Sequence, residues 1–425
     1  MSQEHPVRTL VIEVLSSPRM SQVCSLLAIG IGFFAETVQR TIGWAGLSGA
    51  LAVIVLLCAG TLIARSSELA WAGVLPLSLL IFLGWAGVSV LWSDYRWSTV
   101  GGLAYLFAFT VLGISVALTR DTIQIVRSFG DVLRLVLGIS LAIEILSGVL
   151  IDMPIRFLGV DGNLGRLGPI QGVMGSRNQL GLVAVIALIT FGLELATHSV
   201  SRALAAGSLT MAGLCILLSR SPVVIGLLAA LALAAAALLL IRHVSAERRS
   251  LWQWLTLLAA FLVLVFAWFF RSGIISVLSA SNELSYRLAV WRTLWNLIDV
   301  HPLQGWGWIG QWRPDITPFS FFASAGAREP TSAVNAYLDV WFQLGLVGLF
   351  LFLVLLGLAF TRSWLLAGRR RSIVFAWPAL MLVVLLVSSL AESSVLIDYG
   401  WMAFVVCCVK AARELSWRRA LTGSA

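Results

Sequence analysis

A chain of 425 residues that is 59% hydrophobic and only 12% charged is far more apolar than a soluble domain, in which about 45–50% apolar and about 25% charged residues are usual. Its 18 Trp and 37 Gly are spread through long apolar runs, which excludes disordered, collagenous and disulfide-stapled classes and makes the bilayer the solvent to reason with. The unbroken apolar run from Val223 to Ile241 suits a spanning helix and not a barrel strand of alternating polarity. The predicted fold is an all-α polytopic membrane protein.

The 29 basic residues exceed the 20 acidic ones by nine. Most of the arginines sit at the ends of apolar runs, as topology signals and headgroup contacts do. Membrane lipids are therefore expected partners and nucleic acid is not. Cys24, Cys58, Cys215, Cys407 and Cys408 lie inside apolar segments without metal-type spacing and read as packing residues. His5, His198, His243 and His301 are far apart in the chain, so neither a metal nor another cofactor is expected. The N-terminal stretch mixes Arg8 and Arg19 with Glu4, Glu13 and Pro18, which does not resemble a cleaved signal peptide.

In chain order, a window of about 19 residues finds apolar segments near 22–39, 42–63, 70–92, 99–118, 130–151, 178–196, 203–219, 222–241, 251–270, 336–360, 373–390 and 399–413. These predict about twelve spans. Both termini fall on the cytoplasmic side, because most of the basic residues then lie inside. Residues 1–270 carry the first nine spans, 271–335 a large extracytoplasmic loop, and 336–425 the last three spans and a cytoplasmic tail. A shorter outer segment runs over 152–177. Long outer segments without spans are where function concentrates. In the larger one, Leu284, Leu288, Trp291, Trp295 and Ile298 recur at three- and four-residue steps, which predicts an amphipathic helix at the outer membrane surface, with Arg287 and Arg292 flanking its apolar stripe. The pattern breaks at His301-Pro302, after which Gly305, Gly307 and Gly310 interleave with Trp306 and Trp308 as in a close-packed turn.

Four constellations have the chemistry for function. Arg166, Arg177, Arg220, Arg287 and Arg292 all fall on the outer side, where they either converge on an anion through bidentate, charge-assisted bonds or simply reach toward headgroups. Arg220, in Leu218-Ser219-Arg220-Ser221-Pro222 between two spans, lies at a depth where an ionisable group is costly and therefore suspect. Asn178, in Gly175-Ser176-Arg177-Asn178-Gln179-Leu180-Gly181, opens the sixth span either as a cap or as part of an anion site at a helix N-terminus. Asn335, Asp339 and Gln343 share one helical face at the re-entry of the large loop, as a site or as an interhelical hydrogen-bonding seam. Glu392 and Asp398 lie in the last outer loop, where Glu392 either orients an arginine or is merely solvated.

Taken together, Gly175-x-x-Asn178-x-Leu180-Gly181, Ser219-Arg220, Arg287-x-x-x-Trp291, His301-Pro302-Leu303-x-Gly305-x-Gly307, Asn335-x-Tyr337-Leu338 with Gly345-x-x-Gly348, and Glu392-Ser393 resemble the O-antigen ligase and polymerase superfamily of polytopic bacterial membrane proteins. The resemblance covers roughly residues 170–410 and implies a GT-C-like arrangement. It implies a metal-independent glycosyltransferase of the bacterial cytoplasmic membrane, its active site extracytoplasmic. The donor would be a glycan on undecaprenyl diphosphate, and the acceptor a glycan or glycolipid. By position it implies Arg220 and Arg287 as the arginines that hold the diphosphate. With them, Asn335 and Asp339 are expected to be catalytic, and Arg177, Asn178, Trp291, Arg292, His301, Tyr337 and Glu392 to bind substrate. Two departures stand out: Val334 replaces the family's histidine before Asn335, and Ser176-Arg177 replaces His-Lys before Asn178. The first removes the obvious general base; Asp339, Glu329 and Asp315 are the candidate substitutes. A transporter or flippase for anionic or polyprenyl-linked substrates, and a scaffold for polysaccharide assembly, are the competing readings.

Overall fold

A computed structural model describes residues 12–67, 75–245, 248, 251–256, 258, 262, 265, 269, 281–324 and 330–414. Within them the protein is helical, with no strand beyond an isolated bridge between Ile155 and Val160. The helices that matter for the site are α1 (Pro18–Ala64), α2 (Leu77–Val88), α3 (Arg96–Thr119), α4 (Thr122–Ile145), α5 (Arg177–Ala196), α6 (Arg202–Ser219), α7 (Pro222–His243), α8 (Ser281–Ile298), α9 (Ala336–Arg369), α10 (Ala376–Ser388) and α11 (Asp398–Glu414).

Among the described residues, seven helices are long and apolar enough to cross a bilayer: α1, α3, α4, α5, α6, α7 and α9. The difference from the expected twelve has identifiable sources. Helix α1 contains two of the expected segments, separated by a break at Gly43, whose φ of 74° only glycine adopts without strain. The two arms fold back on each other, since the Cys58 thiol lies against the Cys24 carbonyl and Arg65 donates to Ser21 at 3.0 Å. Helices α2 and α10, with their adjoining short turns, are apolar but shorter than a full span. Helix α11 has only 17 residues. The ninth expected segment, 251–270, falls largely outside the described residues.

Helix α5 is enclosed by α4, α6, α7 and α10, and its side chains from Leu180 to Ala187 are all buried. Helix α11 fills the other half of the core against α1, α3, α9 and α10. The outer loop folds on its own apolar cluster, in which Val290, Leu294 and Ile298 of α8 meet Trp312, Phe319, Phe322 and Phe342. The amphipathic helix therefore exists, but its buried face is rotated from the expected stripe. Leu288 and Trp295 are exposed at 42% and 44%. Arg287, expected on the flank, is on the buried side at 7% exposure.

The loop is fastened to the membrane unit at a break in α9. Gly345, at φ 69°, interrupts the helix and frees backbone groups that must be satisfied at this depth. Phe342 and Gln343 carbonyls accept from Trp306 and Gly307 N–H at 3.1 and 2.8 Å, the Leu344 carbonyl accepts from Trp85 Nε1 at 2.9 Å, and Leu346 N–H donates to the Pro302 carbonyl at 2.9 Å. The Gly/Trp turn read from the sequence is thus the missing hydrogen-bonding partner of a broken helix. A Cβ at Gly345 would lie 2.0 Å from the Leu303 carbonyl oxygen. Gly345→Ala is therefore expected to unseat the 302–307 turn and to destabilise the protein by about 1–3 kcal/mol, measurable as a lowered unfolding temperature in detergent with faster proteolysis of the outer loop.

Candidate active site

The end of α10 organises the face of the bundle on which α8 lies, expected from the sequence to be the outer one. Beyond the last turn of a helix the carbonyls lack intrahelical donors, and here consecutive ones are met from two other elements. The Ser389 carbonyl accepts from Ala336 N–H at 2.9 Å, the Leu390 carbonyl from Asn335 Nδ2 at 3.1 Å, and the Ala391 carbonyl from Arg287 Nη1 at 2.5 Å. The next residue, Glu392, faces Arg287 Nη2 at 3.4 Å. One short turn thus fixes the N-terminus of α9, the buried arginine of α8 and a carboxylate.

Asn178, 7% exposed, joins this turn to α5. Its amide donates to Glu283 Oε1 at 2.5 Å and to Glu392 Oε1 at 2.9 Å, while its carbonyl accepts from Ser221 at 2.6 Å. It is not the cap of α5; that role falls to Ser176, whose hydroxyl accepts from Gln179 N–H. Arg177 bonds Glu283 at 3.1 Å, and Glu283 also lies 3.7 Å from Arg287. Gln179 donates to Ser394 at 2.7 Å and accepts from Tyr399 at 2.6 Å. Gly181 brings the α6–α7 turn close, since a Cβ there would stand 2.2 Å from Val224. In that turn Arg220 has a left-handed backbone at φ 46° and an exposed side chain, with no ion pair or hydrogen bond among the described residues.

The structure therefore brings together Arg177, Asn178, Arg287 and Glu392 around Glu283, with Arg220 on the adjoining turn. Glu283, Gln179 and Ser221 were not singled out in the sequence. The available signal for Glu283 was its i, i+4 spacing from Arg287 on a predicted helix. Arg292 is exposed and unpaired among the described residues, and Arg166 lies in a separate short turn of the first outer segment.

The re-entry residues form a second group. Asn335 caps α9, accepting from Tyr337 and Leu338 N–H at 3.0 and 3.1 Å. Asp339 is fully buried, its carboxylate accepting from Trp312 Nε1 and Gln343 Nε2 at 2.8 Å each and from Ala333 N–H at 3.2 Å. Trp291 donates to the Ala333 carbonyl at 2.9 Å, and the Tyr337 hydroxyl to the Leu386 carbonyl at 3.0 Å. His301 packs edge-on to Trp306 at 4.6 Å and its carbonyl closes the turn to Gly305. Val334 sits at φ 51°, an unfavourable region for a β-branched side chain. Asp315 lies exposed, its carboxylate held below the usual range chiefly by the hydrogen bonds of Arg313. Glu329 falls outside the described residues.

Residues 205–353 match the family model described as O-antigen ligase, which supports the O-antigen ligase and polymerase superfamily. No curated protein matches the chain. The matched segment contains Arg220, Glu283, Arg287 and the re-entry residues; Arg177, Asn178 and Glu392 lie outside it.

Asn178 separates two carboxylates by donating a hydrogen bond to each. Asn178→Asp removes both donors and adds a third negative group, so it is expected to destabilise the outer face by about 3 kcal/mol at neutral pH. The deficit should shrink on acidification, as protonation relieves the repulsion. Thermal unfolding of the two proteins across pH 5–8 measures it.

Proposed function

For a member of the O-antigen ligase and polymerase superfamily with this outer face, we propose a glycosyltransferase that moves a glycan from a polyprenyl-diphosphate donor to a glycan or glycolipid acceptor at the outer surface of the bacterial cytoplasmic membrane. One observation carries the reading: Arg287 is 7% exposed and anchored by its Nη1 to the Ala391 carbonyl at 2.5 Å, yet meets Glu392 and Glu283 only at 3.4 and 3.7 Å. Strong charge-assisted bonds are about 2.7–2.9 Å. The guanidinium is thus firmly oriented by a neutral acceptor while its ion pairs are loose enough for an incoming anion to replace.

The chemistry follows from charge. Cleavage of the anomeric C–O bond leaves the diphosphate with added negative charge. A fixed guanidinium in a partly dry site stabilises that charge more in the transition state than in the ground state. Arg220, unpaired among the described residues, supplies net positive charge beside a cluster in which Arg177 and Arg287 are already balanced by Glu283 and Glu392. Asn335 and Asp339 act as positioning residues: their polar atoms are spent on the corner at Ala333 and on the α10 carbonyls. The apolar flanks of the helices receive the lipid.

The test is transfer by the purified full-length protein in nanodiscs, with a lipid-linked oligosaccharide extract as donor and chelator present. Wild type is expected to form product. Arg287→Ala is expected to lower the rate by about 100-fold or more, and Arg287→Lys to recover little of it, because an ammonium lacks the planar fork. Donor that binds without ever yielding product would overturn the reading in favour of a transporter or binding protein.

A further inference from the structure

Beside the arginine cluster, on the far side of Glu392, lies an open cavity of about 160 Å³ between α1, the loop before α5, the loop at Gln311 and Thr331, and the turn from α10 to α11. Its lining mixes apolar side chains such as Phe33, Met174 and Ile397 with polar ones, among them Glu36, Gln39, Gln179, Gln311, Glu392 and Ser393. Of these, Glu36, Gln39 and Gln311 belong to no motif read from the sequence. Gln39 and Gln311 make no hydrogen bond among the described residues. Ser393 is 6% exposed and its hydroxyl, though near Asp339, makes no hydrogen bond of good geometry. Amides that both donate and accept, together with carboxylates, are the groups that pair with the hydroxyls of a sugar. The carboxylates are not arranged as a metal site: among the described residues no group of three or more His, Cys, Asp or Glu can hold an ion.

Glu392 borders both spaces. Its Oε1 faces Asn178 and Arg287, and its Oε2 is approached by Gln179 at 3.5 Å on the cavity side. We propose that this cavity receives the acceptor sugar, and that Glu392 takes the proton from the attacking hydroxyl. This inference rests on the transferase reading. The acceptor oxygen bonds to the anomeric carbon, the bond from that carbon to the diphosphate oxygen breaks, the leaving diphosphate keeps the electron pair beside Arg287, and the acceptor's proton goes to the Glu392 carboxylate. Donor binding prepares the step: a diphosphate that takes over Arg287 withdraws that cation from Glu392, which strengthens the carboxylate as a base. The group lost with Val334 is thereby replaced from a different element, not from the re-entry itself.

The experiment uses the same nanodisc protein with two separate readouts, donor binding and acceptor dependence of transfer. The acceptor probe is the total envelope glycan fraction of the source cells, and donor binding is followed with undecaprenyl diphosphate. Gln39→Ala and Gln311→Ala break no hydrogen bond within the described chain. Each is expected to raise the half-saturating acceptor concentration about ten-fold, the loss of one or two hydrogen bonds, with donor binding unchanged. Glu392→Gln is expected to bind donor within about three-fold of wild type while transfer falls at least about 100-fold; Glu392→Asp should restore part of the rate with a shifted acid limb of the pH profile. Unchanged acceptor dependence in both glutamine variants, or a Glu392→Gln rate near wild type, overturns this inference while leaving the donor site standing. Failure of wild type to bind undecaprenyl diphosphate overturns the transferase reading itself, and the inference with it.

Discussion

The outer face depends on the unsatisfied carbonyls at the end of α10. A helix that stops near a membrane boundary must find donors for its last carbonyls, because neither lipid nor a dry interface supplies them. Here the donors are Ala336, Asn335 and Arg287. Meeting a backbone requirement thus also sets the start of α9 and seats an arginine of the outer loop over the membrane unit. Arg287 carries charge into a place where its hydrogen bond to a carbonyl and its two flanking carboxylates make the charge tolerable.

The same principle recurs at Gly345. A helix broken at depth is stable only where protein covers the break, and the 302–307 turn does so with its own N–H and carbonyl groups. The outer loop is therefore tied at the α9 break and at the α10 end, and through Glu283 to α5, with its own aromatic cluster beside these contacts. A site assembled this way is held by backbone contacts from several elements. Its charged side chains are left free to exchange partners: Arg287 and Arg177 are balanced by Glu283 and Glu392 at distances from 3.1 to 3.7 Å, so an anionic ligand competes with carboxylates that are themselves buried only in part.

Much of the fold was legible because apolar runs of about 20 residues have one common solution in lipid. The helices at α3, α5, α6 and α7 coincide closely with the apolar segments read from the sequence. The break at Gly43 falls beside the polar boundary that already separated two expected segments, whereas the one at Gly345 was not legible, since a glycine inside an apolar run looks the same whether or not its φ is positive. Arg177, Asn178, Arg287 and Glu392, candidates from their types and expected placement, lie together in the structure. The stripe of Asn335, Asp339 and Gln343 left a site and a hydrogen-bonding seam both open, and the pattern could not reveal that Trp312 and Ala333, from the far end of the loop, use the Asp339 oxygens. Glu283 escaped because attention to the apolar stripe of α8 put Arg287 on its flank, whereas Val290, Leu294 and Ile298 turn it inward. The cavity at Glu36 and Gln39 had no signal at all, being a product of how α1 packs.

The most direct measurement is equilibrium binding of undecaprenyl diphosphate, without any sugar, to the wild-type protein and to Arg287→Ala in the same nanodiscs. A clamp built on Arg287 is expected to bind the bare lipid diphosphate in wild type, more weakly as salt rises, and at least about ten-fold more weakly in the variant. Equal affinity of the two proteins would contradict a diphosphate site at Arg287 and return the cluster to a purely structural role.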